Sequence, residues 1–372
     1  MPLTSAISDT APNKPKNGPP FNRGESTGEA ASELSTASET TRELNRLFEL
    51  VASDFAAVNE LIPRQLTSDV DLVESIGRYI VESGGKRLRP LIVLLGARAC
   101  GINNNDHIRL AAIIEFLHTA TLLHDDVVDR SGLRRGRATA NALWGNAPSV
   151  LVGDFLYSRA FQLMVELENL DVMAILADAT NVIAEGEVLQ LANIGNSALS
   201  EENYREVIRC KTAMLFQAAA QSSAVLGLAE LTAEGDSSAA DQIERLRDYG
   251  LEFGMAYQLV DDWLDYAGDS KVMGKNVGDD LAEGKATLPL IYTMANGSAA
   301  DAALVTGALE SKCADQLDAV CAAVSRSGAL DYTRKKAQAA SNRAIDALLG
   351  LPVNPYRDAL EDLARAAVAR LS

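Results

Sequence analysis

The sequence predicts an all-α fold, and three observations carry that expectation. Apolar residues recur at helical spacing from about residue 43 to the end of the chain. Ala and Leu are abundant while aromatic residues make up only 5% of the sequence, a composition that favours helices. No alternating apolar–polar run is flanked by hairpin turns, and no fixed-period repeat is present. The expected architecture is a single-domain bundle of roughly ten or more helices over residues 43–372.

Leu44, Leu47, Phe48 and Val51 open the apolar pattern. Helices are then predicted near 70–82, 89–100, 106–130, 149–168, 171–193, 201–227 and 240–267, and near 285–296, 299–309, 313–326, 329–349 and 354–371. The breaks carry turn chemistry: Ser83-Gly84-Gly85, Gly101 to Asn105, Gly195-Asn196-Ser197 and Gly268-Asp269-Ser270. Residues 1–42 differ in kind. Pro, Ser, Thr, Gly and Asn dominate there, which predicts a disordered tail. The tail is neither Arg-rich nor amphipathic, and it carries Asp9, Glu25 and Glu29, which speaks against a transit peptide.

Of 372 residues 47% are hydrophobic, enough for a large core. The 51 acidic residues outnumber the 34 basic ones for a net charge of −17, which argues against nucleic acid or an anionic membrane surface as a main partner. Any anionic substrate therefore needs a local basic cluster or recruited cations. Cys100, Cys210, Cys313 and Cys321 form no CxxC pair and no metal spacing with the three histidines, as expected of reduced thiols in a cytoplasmic protein. No apolar run is long enough to span a bilayer, and no signal peptide is evident.

Two acidic motifs then stand out. LLHDDVVDR, residues 122–130, places Asp125, Asp126 and Asp129 at the end of an otherwise apolar run. QLVDDWLDY, residues 258–266, repeats the spacing with Asp261, Asp262 and Asp265. On a helix, residues i and i+4 share a face, so Asp125 lines up with Asp129 and Asp261 with Asp265; Asp126 lies about a quarter-turn off that line. A single DDxxD could be a solvated helix end paired with arginines. Two copies in apolar settings need counter-charge, and Mg²⁺ favours a few carboxylates together with water and phosphate oxygens.

The basic residues fall beside these acids. GGKRLRP, residues 84–90, follows a Gly-Gly turn with Lys86, Arg87 and Arg89 and could wrap a diphosphate. RSGLRRGR follows the first motif and supplies Arg130, Arg134, Arg135 and Arg137. Lys211 lies in RCKTAMLFQ, and Lys275 and Lys285 follow the second motif. His118 is two helical turns before Asp125 and shares its face. His124 points elsewhere, and His107 is expected at the surface near a helix start. Glu187 and Gln190 of EGEVLQ share a face that either lines the site or is a plain polar face.

These residues give the chain its resemblance. Over about 45–371 it resembles the trans-prenyltransferases, the head-to-tail polyprenyl diphosphate synthases. The likeness rests on GGKRLRP, FLHTATLLHDDVVDRSGLRRGR, GDFLYSRAF, EGEVLQL, KTAMLFQ and YQLVDDWLDYAGD followed by GK, in that order. It is nearest to bacterial members that make octaprenyl chains, through WGNAPSVLVGDFLYSRAFQLM and EGEVLQLANIGN. The resemblance implies an isoprenoid-synthase helical bundle with a central cavity, a homodimer, and three Mg²⁺ ions. Asp125, Asp126, Asp129, Asp261 and Asp265 would serve the metals, with Asp262 in an outer position. Arg134, Lys211 and Lys275 would contact the allylic diphosphate, and Lys86, Arg89, His118 and Arg135 would hold isopentenyl diphosphate. Thr212 and Gln258 would line the reacting centre. Membrane contact would be peripheral at most, for product release. The tail is the one departure from the family pattern.

The implied product is an all-trans chain of about C40 for quinone side chains, with C45–C50 as the alternative. Thr121 and Ala120, just upstream of Asp125, are small where a Phe or Tyr would plug an apolar tunnel. The floor is expected from the helix beginning at Gly153, with Met164 first and Phe161 next. A terpene cyclase would need no second diphosphate site, and GGKRLRP and DDWLD speak against it. A non-catalytic partner subunit would be expected to lose the aspartates, and this chain has all six.

Overall fold

The computed structural model describes residues 42, 44–134, 136–267, 278–312 and 314–371. The expected tail therefore falls outside the described residues, Arg42 apart, as do Arg135, Lys275 and Cys313. The chain runs through α1 (44–50), α2 (Ala52–Gln65), α3 (Asp71–Glu82), α4 (Leu88–Ala99) and α5 (Asp106–Val128). It continues through α6 (Ala140–Trp144), α7 (Asn146–Glu166), α8 (Leu170–Ala192), α9 (Glu201–Ile208), α10 (Met214–Gly227), α11 (Ala229–Ala233) and α12 (Ser237–Ala267). Beyond the second acidic motif lie the helices Asp279–Glu283, Leu288–Asn296, Ala299–Ser311, Leu317–Ser327, Ala329–Ala347 and Pro355–Val368.

The helix periodicity was legible, but two local structures depart from it. A two-residue antiparallel ladder pairs Leu133–Arg134 with Arg137–Ala138, over the end of RSGLRRGR and the residue after it, where no strand was expected. It is too short to produce an alternating pattern. The helix expected over 201–227 is interrupted at Arg209–Ala213 by a π-turn, a wide turn found mostly at functional positions.

Helix α12 is the axis of the fold. Its 31 residues span about 46 Å. It packs against α10 on one side and the helix Ala329–Ala347 on the other, while α5 packs against α7 and α4. Two clusters of buried apolar residues result. One centres on α4, α5, α7 and α10, the other on the C-terminal half of α12 and the helices after it. Phe116, Phe216, Tyr249 and Phe253 are fully enclosed, each burial contributing about 2–3 kcal/mol.

Glycines set the closest contact. A Cβ on Gly250 would meet the Phe216 carbonyl oxygen at 2.4 Å, and one on Gly254 would meet Ala213 Cα at 2.5 Å. Both obstacles are backbone, so α12 can lie this near α10 and the π-turn only with glycine at the two positions. The π-turn is thereby pressed against the helix that carries the second acidic motif.

One sequence expectation is overturned. His107 is not at the surface but fully buried, with Nε2 3.2 Å from Asp54 Oδ2. Arg98 donates two hydrogen bonds to the same carboxylate, at 2.8 and 2.7 Å. The cluster joins α2, α4 and α5. A helix-start position looked exposed because the incoming helix α2, which covers it, is distant in sequence. Burial alone would raise Asp54, but Arg98 and His107 hold it below the usual carboxylate range. Burial pushes His107 below its ordinary 6.5, with Asp54 opposing.

The sign of the pH dependence follows. With a depressed folded-state value, the neutral His107 contributes stability that is complete above pH 6.5 and lost as pH falls through its folded value. Urea midpoints of the chain and of His107→Gln, compared at about pH 7 and about pH 5, should show the unsubstituted chain losing more stability on acidification. Equal losses would exclude His107 as the source.

Candidate active site

The site is built from α5, α12 and the π-turn that touches both. Along α5 the first motif divides its aspartates. Asp126 is fully buried, and its Oδ1 accepts hydrogen bonds from Arg134 Nε and Nη2 at 2.9 and 2.7 Å. Asp125 and Asp129 keep 16% and 14% of their side-chain surface open to the cavity. Along α12 the division repeats. Asp262 is 2% exposed. Its Oδ2 accepts from the Tyr204 hydroxyl and its Oδ1 from Gln258 Nε2 at 2.7 Å. Asp261 is half-buried. Asp265 accepts backbone N–H groups from Gly278 and Asp280 at 3.1 and 3.2 Å, which ties the short helix Asp279–Glu283 to α12. A carboxylate has about four acceptor sites, so these two bonds leave capacity on Asp265.

Neighbouring residues of the π-turn reach opposite motifs. Lys211 Nζ lies 2.6 Å from Glu187 Oε2 and 3.6 Å from Asp125 Oδ2. The Thr212 hydroxyl donates to Gln258 Oε1 at 2.8 Å. Thr212, Gln258, Asp262 and Tyr204 thus form one continuous hydrogen-bonded chain. Gly186 of α8 lets the turn sit this close, since a Cβ there would meet Cys210 Cβ at 2.6 Å. Lys285 completes the bridging, with Nζ 3.0 Å from Asp129 Oδ2 and in contact with Glu283.

A second cleft opens on the other side of the first motif. Lys86, Arg89, His118, Arg134 and Asp126 line it. Arg89 Nη1 is 3.2 Å from His118 Nε2, and its guanidinium lies 4.1 Å from the centre of the Phe216 ring. The approach is made by Gly84, at φ +72°, and by Arg87, whose left-handed φ of +45° precedes the first residue of α4. Pro90 fits in that first turn, where its missing N–H has no helical partner in any case. The first cleft holds Lys211, Thr212, Gln258, Asp262 and Lys285.

Desolvation governs the electrostatics. Burial raises Asp125 and Glu187, against the lowering effect of Lys211. Burial pushes Asp262 up to about 8 and Asp265 up to about 6. Burial would lower Lys285, but the Glu283, Asp129 and Asp280 carboxylates outweigh it and raise the ammonium. Among the described residues no three acidic, histidine or cysteine side chains converge into a ready-made metal cage. Ammonium groups stand between the carboxylates instead.

The model of the polyprenyl synthetase family matches residues 70–324, a stretch that contains both motifs and both clefts. The chain belongs to this family. Among its relatives, the octaprenyl diphosphate synthase of Escherichia coli is 51% identical over 328 residues, covering 88% of this chain and 99% of that protein. An all-trans-nonaprenyl-diphosphate synthase of Rhodobacter capsulatus is 47% identical over 322 residues, covering 86% and 96%. The crystal structure of a polyprenyl synthase from Caulobacter crescentus, complexed with calcium and isoprenyl diphosphate, superposes with a TM-score of 0.82 at 45% identity, covering 88% of this chain and 98% of that one.

Of the residues expected at the site of this polyprenyl synthetase, Lys86, Arg89, His118, Asp126 and Arg134 line one cleft and Lys211, Thr212, Gln258 and Asp262 the other, with Asp125 beside Lys211 and Asp129 beside Lys285. Asp261, Asp265, Ala120, Thr121, Phe161 and Met164 line neither cleft, and Arg135 and Lys275 lie outside the described residues. Sequence reasoning gave no role to Lys285, whose only signal was its position after the second motif, and left Glu187 undecided on the face it shares with Gln190. Tyr204 was missed altogether, because its partner Asp262 is 58 positions away. The two kinds of aspartate should separate in a stability measurement. Asp262→Ala strips Tyr204 and Gln258 of their acceptor and should cost about 1–3 kcal/mol. Asp125→Ala leaves Lys211 its 2.6 Å contact with Glu187 and should cost less than Asp262→Ala. Denaturant midpoints in metal-free buffer check the pair, and equal losses would refute the division.

Proposed function

We propose that this chain is a long-chain all-trans polyprenyl diphosphate synthase. It would condense isopentenyl diphosphate head-to-tail onto an allylic diphosphate, farnesyl or similar, and release a product of about C40 for quinone side chains. The observation that carries the reading is a pair of clefts that each set basic groups beside the first motif: Lys86, Arg89 and Arg134 with Asp126 in one, and in the other Lys211 and Lys285, 3.6 and 3.0 Å from Asp125 and Asp129. Two anionic substrates each have a seat there, which a cyclase does not need. The identity to octaprenyl synthases supports the C40 assignment, and the nonaprenyl relative keeps C45 as the second reading.

The donor set fits Mg²⁺. It consists of carboxylate oxygens without thiolate or imidazole, as hard cations prefer. The buried Asp126 Oδ2 also has no hydrogen-bond partner among the described residues, a vacancy that a water in a metal's shell would satisfy. Asp125, Asp129, Asp261 and Asp265 would hold the metal. Asp126 would act through Arg134, and Asp262 through Gln258 and Tyr204. Bound Mg²⁺ would neutralise charge building on the leaving diphosphate. Lys211 and Arg134, and Lys275 by resemblance, would bind the allylic diphosphate and stabilise that same charge. Lys86, Arg89, His118 and, by resemblance, Arg135 would fix isopentenyl diphosphate so that its alkene faces the allylic carbon. Thr212 and Gln258, locked in the hydrogen-bonded chain, would border the reacting carbons. The departing diphosphate takes the final proton, so no side-chain base is assigned.

The growing chain needs an apolar route past α5. Ala120 is buried and Thr121 half-buried, with its hydroxyl turned back to the His118 carbonyl at 2.8 Å, so neither presents bulk or a free polar group. Met164 is buried near the end of α7, which packs on α5, and Phe161 lies one turn earlier beside Tyr157. Exposed Leu151, Leu170, Val188 and Leu191 on α7 and α8 support pairing of two chains. No described helix is long and apolar enough to cross a membrane, consistent with a cytoplasmic enzyme that touches the bilayer peripherally at product release.

Sizing of the dephosphorylated products made from farnesyl diphosphate and labelled isopentenyl diphosphate with Mg²⁺ tests the reading. A dominant C40 alcohol is expected. A cyclic hydrocarbon, or no incorporation by the chain alone, would overturn it. Met164→Ala should lengthen the product while costing about 2–3 kcal/mol in stability. An unchanged distribution from a folded, active variant would remove Met164 as the floor.

A further inference from the structure

Lys285 stands where two elements are fixed with care. Its N–H donates to the Asp280 carbonyl at 2.8 Å, and the Gly284 carbonyl before it accepts from Gly195 N–H at 2.8 Å. Gly284, at φ +77°, turns the chain out of the helix Asp279–Glu283. The opposite end of that helix is tied to Asp265 by two backbone hydrogen bonds. The second motif therefore aims Lys285 at the first. The side chain, 17% exposed, ends 3.0 Å from Asp129 Oδ2 with Glu283 against it. Lys211 repeats the arrangement one helical turn away, between Glu187 and Asp125. Each outward-facing aspartate of α5 thus meets a lysine that it shares with a glutamate.

An ammonium and a divalent cation compete for the same carboxylate oxygen, because like charges repel strongly in a low-dielectric site. On the metal–diphosphate reading of the site, we propose that Lys285 is a positioning residue. It neutralises Asp129 while no metal is bound and gives up that oxygen when metal and diphosphate enter together, with Glu283 as the partner it keeps. Diphosphate supplies the anion that draws the ammonium away, so metal alone binds against Lys285 and metal with diphosphate does not. The two ligands are thereby coupled, each strengthening the other by the same factor.

Calorimetric titration of the full chain with Mg²⁺, without and with inorganic pyrophosphate, reads this directly. The unsubstituted chain should bind Mg²⁺ weakly alone and more tightly with pyrophosphate. Lys285→Met should tighten Mg²⁺ binding in the absence of pyrophosphate by about tenfold and shrink the coupling. Glu283→Gln leaves Lys285 leaning on Asp129 alone and should weaken Mg²⁺ binding without pyrophosphate. Unchanged or weaker binding in Lys285→Met, or unchanged or tighter binding in Glu283→Gln, would overturn the proposal while leaving the site's function standing. If Lys285→Met does not fold, Glu283→Gln decides alone. No Mg²⁺ binding by the unsubstituted chain under either condition would instead remove the metal–diphosphate reading itself.

Discussion

Carboxylates set among buried apolar residues must be neutralised, and the whole site is organised by how that is done. Each motif gives up its middle aspartate to the protein. Asp126 takes Arg134, and Asp262 takes Tyr204 and Gln258. These buried partners orient their neighbours, and helix geometry does the rest. Residue i+1 lies about 100° from residue i and about 60° from residue i+4, which are only about 40° apart, so committing it inward leaves the other two sharing a different face. A net charge of −17 makes the local lysines and arginines indispensable, since nothing in the bulk of the molecule favours an anionic ligand.

The π-turn converts this charge arrangement into geometry. Lys211 and Thr212 are adjacent in sequence yet serve different helices, one facing Asp125 and the other Gln258. Gly254 and Gly186 permit the contact by having no side chain to obstruct it. A shift of the turn would therefore disturb the contacts to both motifs together.

The helices were legible in the sequence because an apolar stripe of period 3.6 is a long signal, repeated many times along the chain. The acidic motifs were legible because carboxylates in apolar runs are costly without a partner. Long-range pairing was not legible. Tyr204 meets Asp262 across 58 residues, Lys285 meets Asp129 across 156, and neither sits in a pattern that spacing can reveal. His107 was misplaced for the same reason: periodicity says which face of α5 it occupies, but not that α2 folds over it. The ladder at Leu133–Ala138 and the π-turn are single-turn irregularities, too short for any periodic test.

The division of each motif into an inward brace and outward ligands is the central claim, and a crystal structure with Mn²⁺ and a thio-analogue of farnesyl diphosphate tests it most directly. Anomalous density for the metal is predicted beside Asp125 and Asp129, with the Tyr204–Asp262–Gln258 hydrogen bonds intact. Metal bound by Asp262 with those bonds broken, or metal absent from the space between α5 and α12, would contradict it.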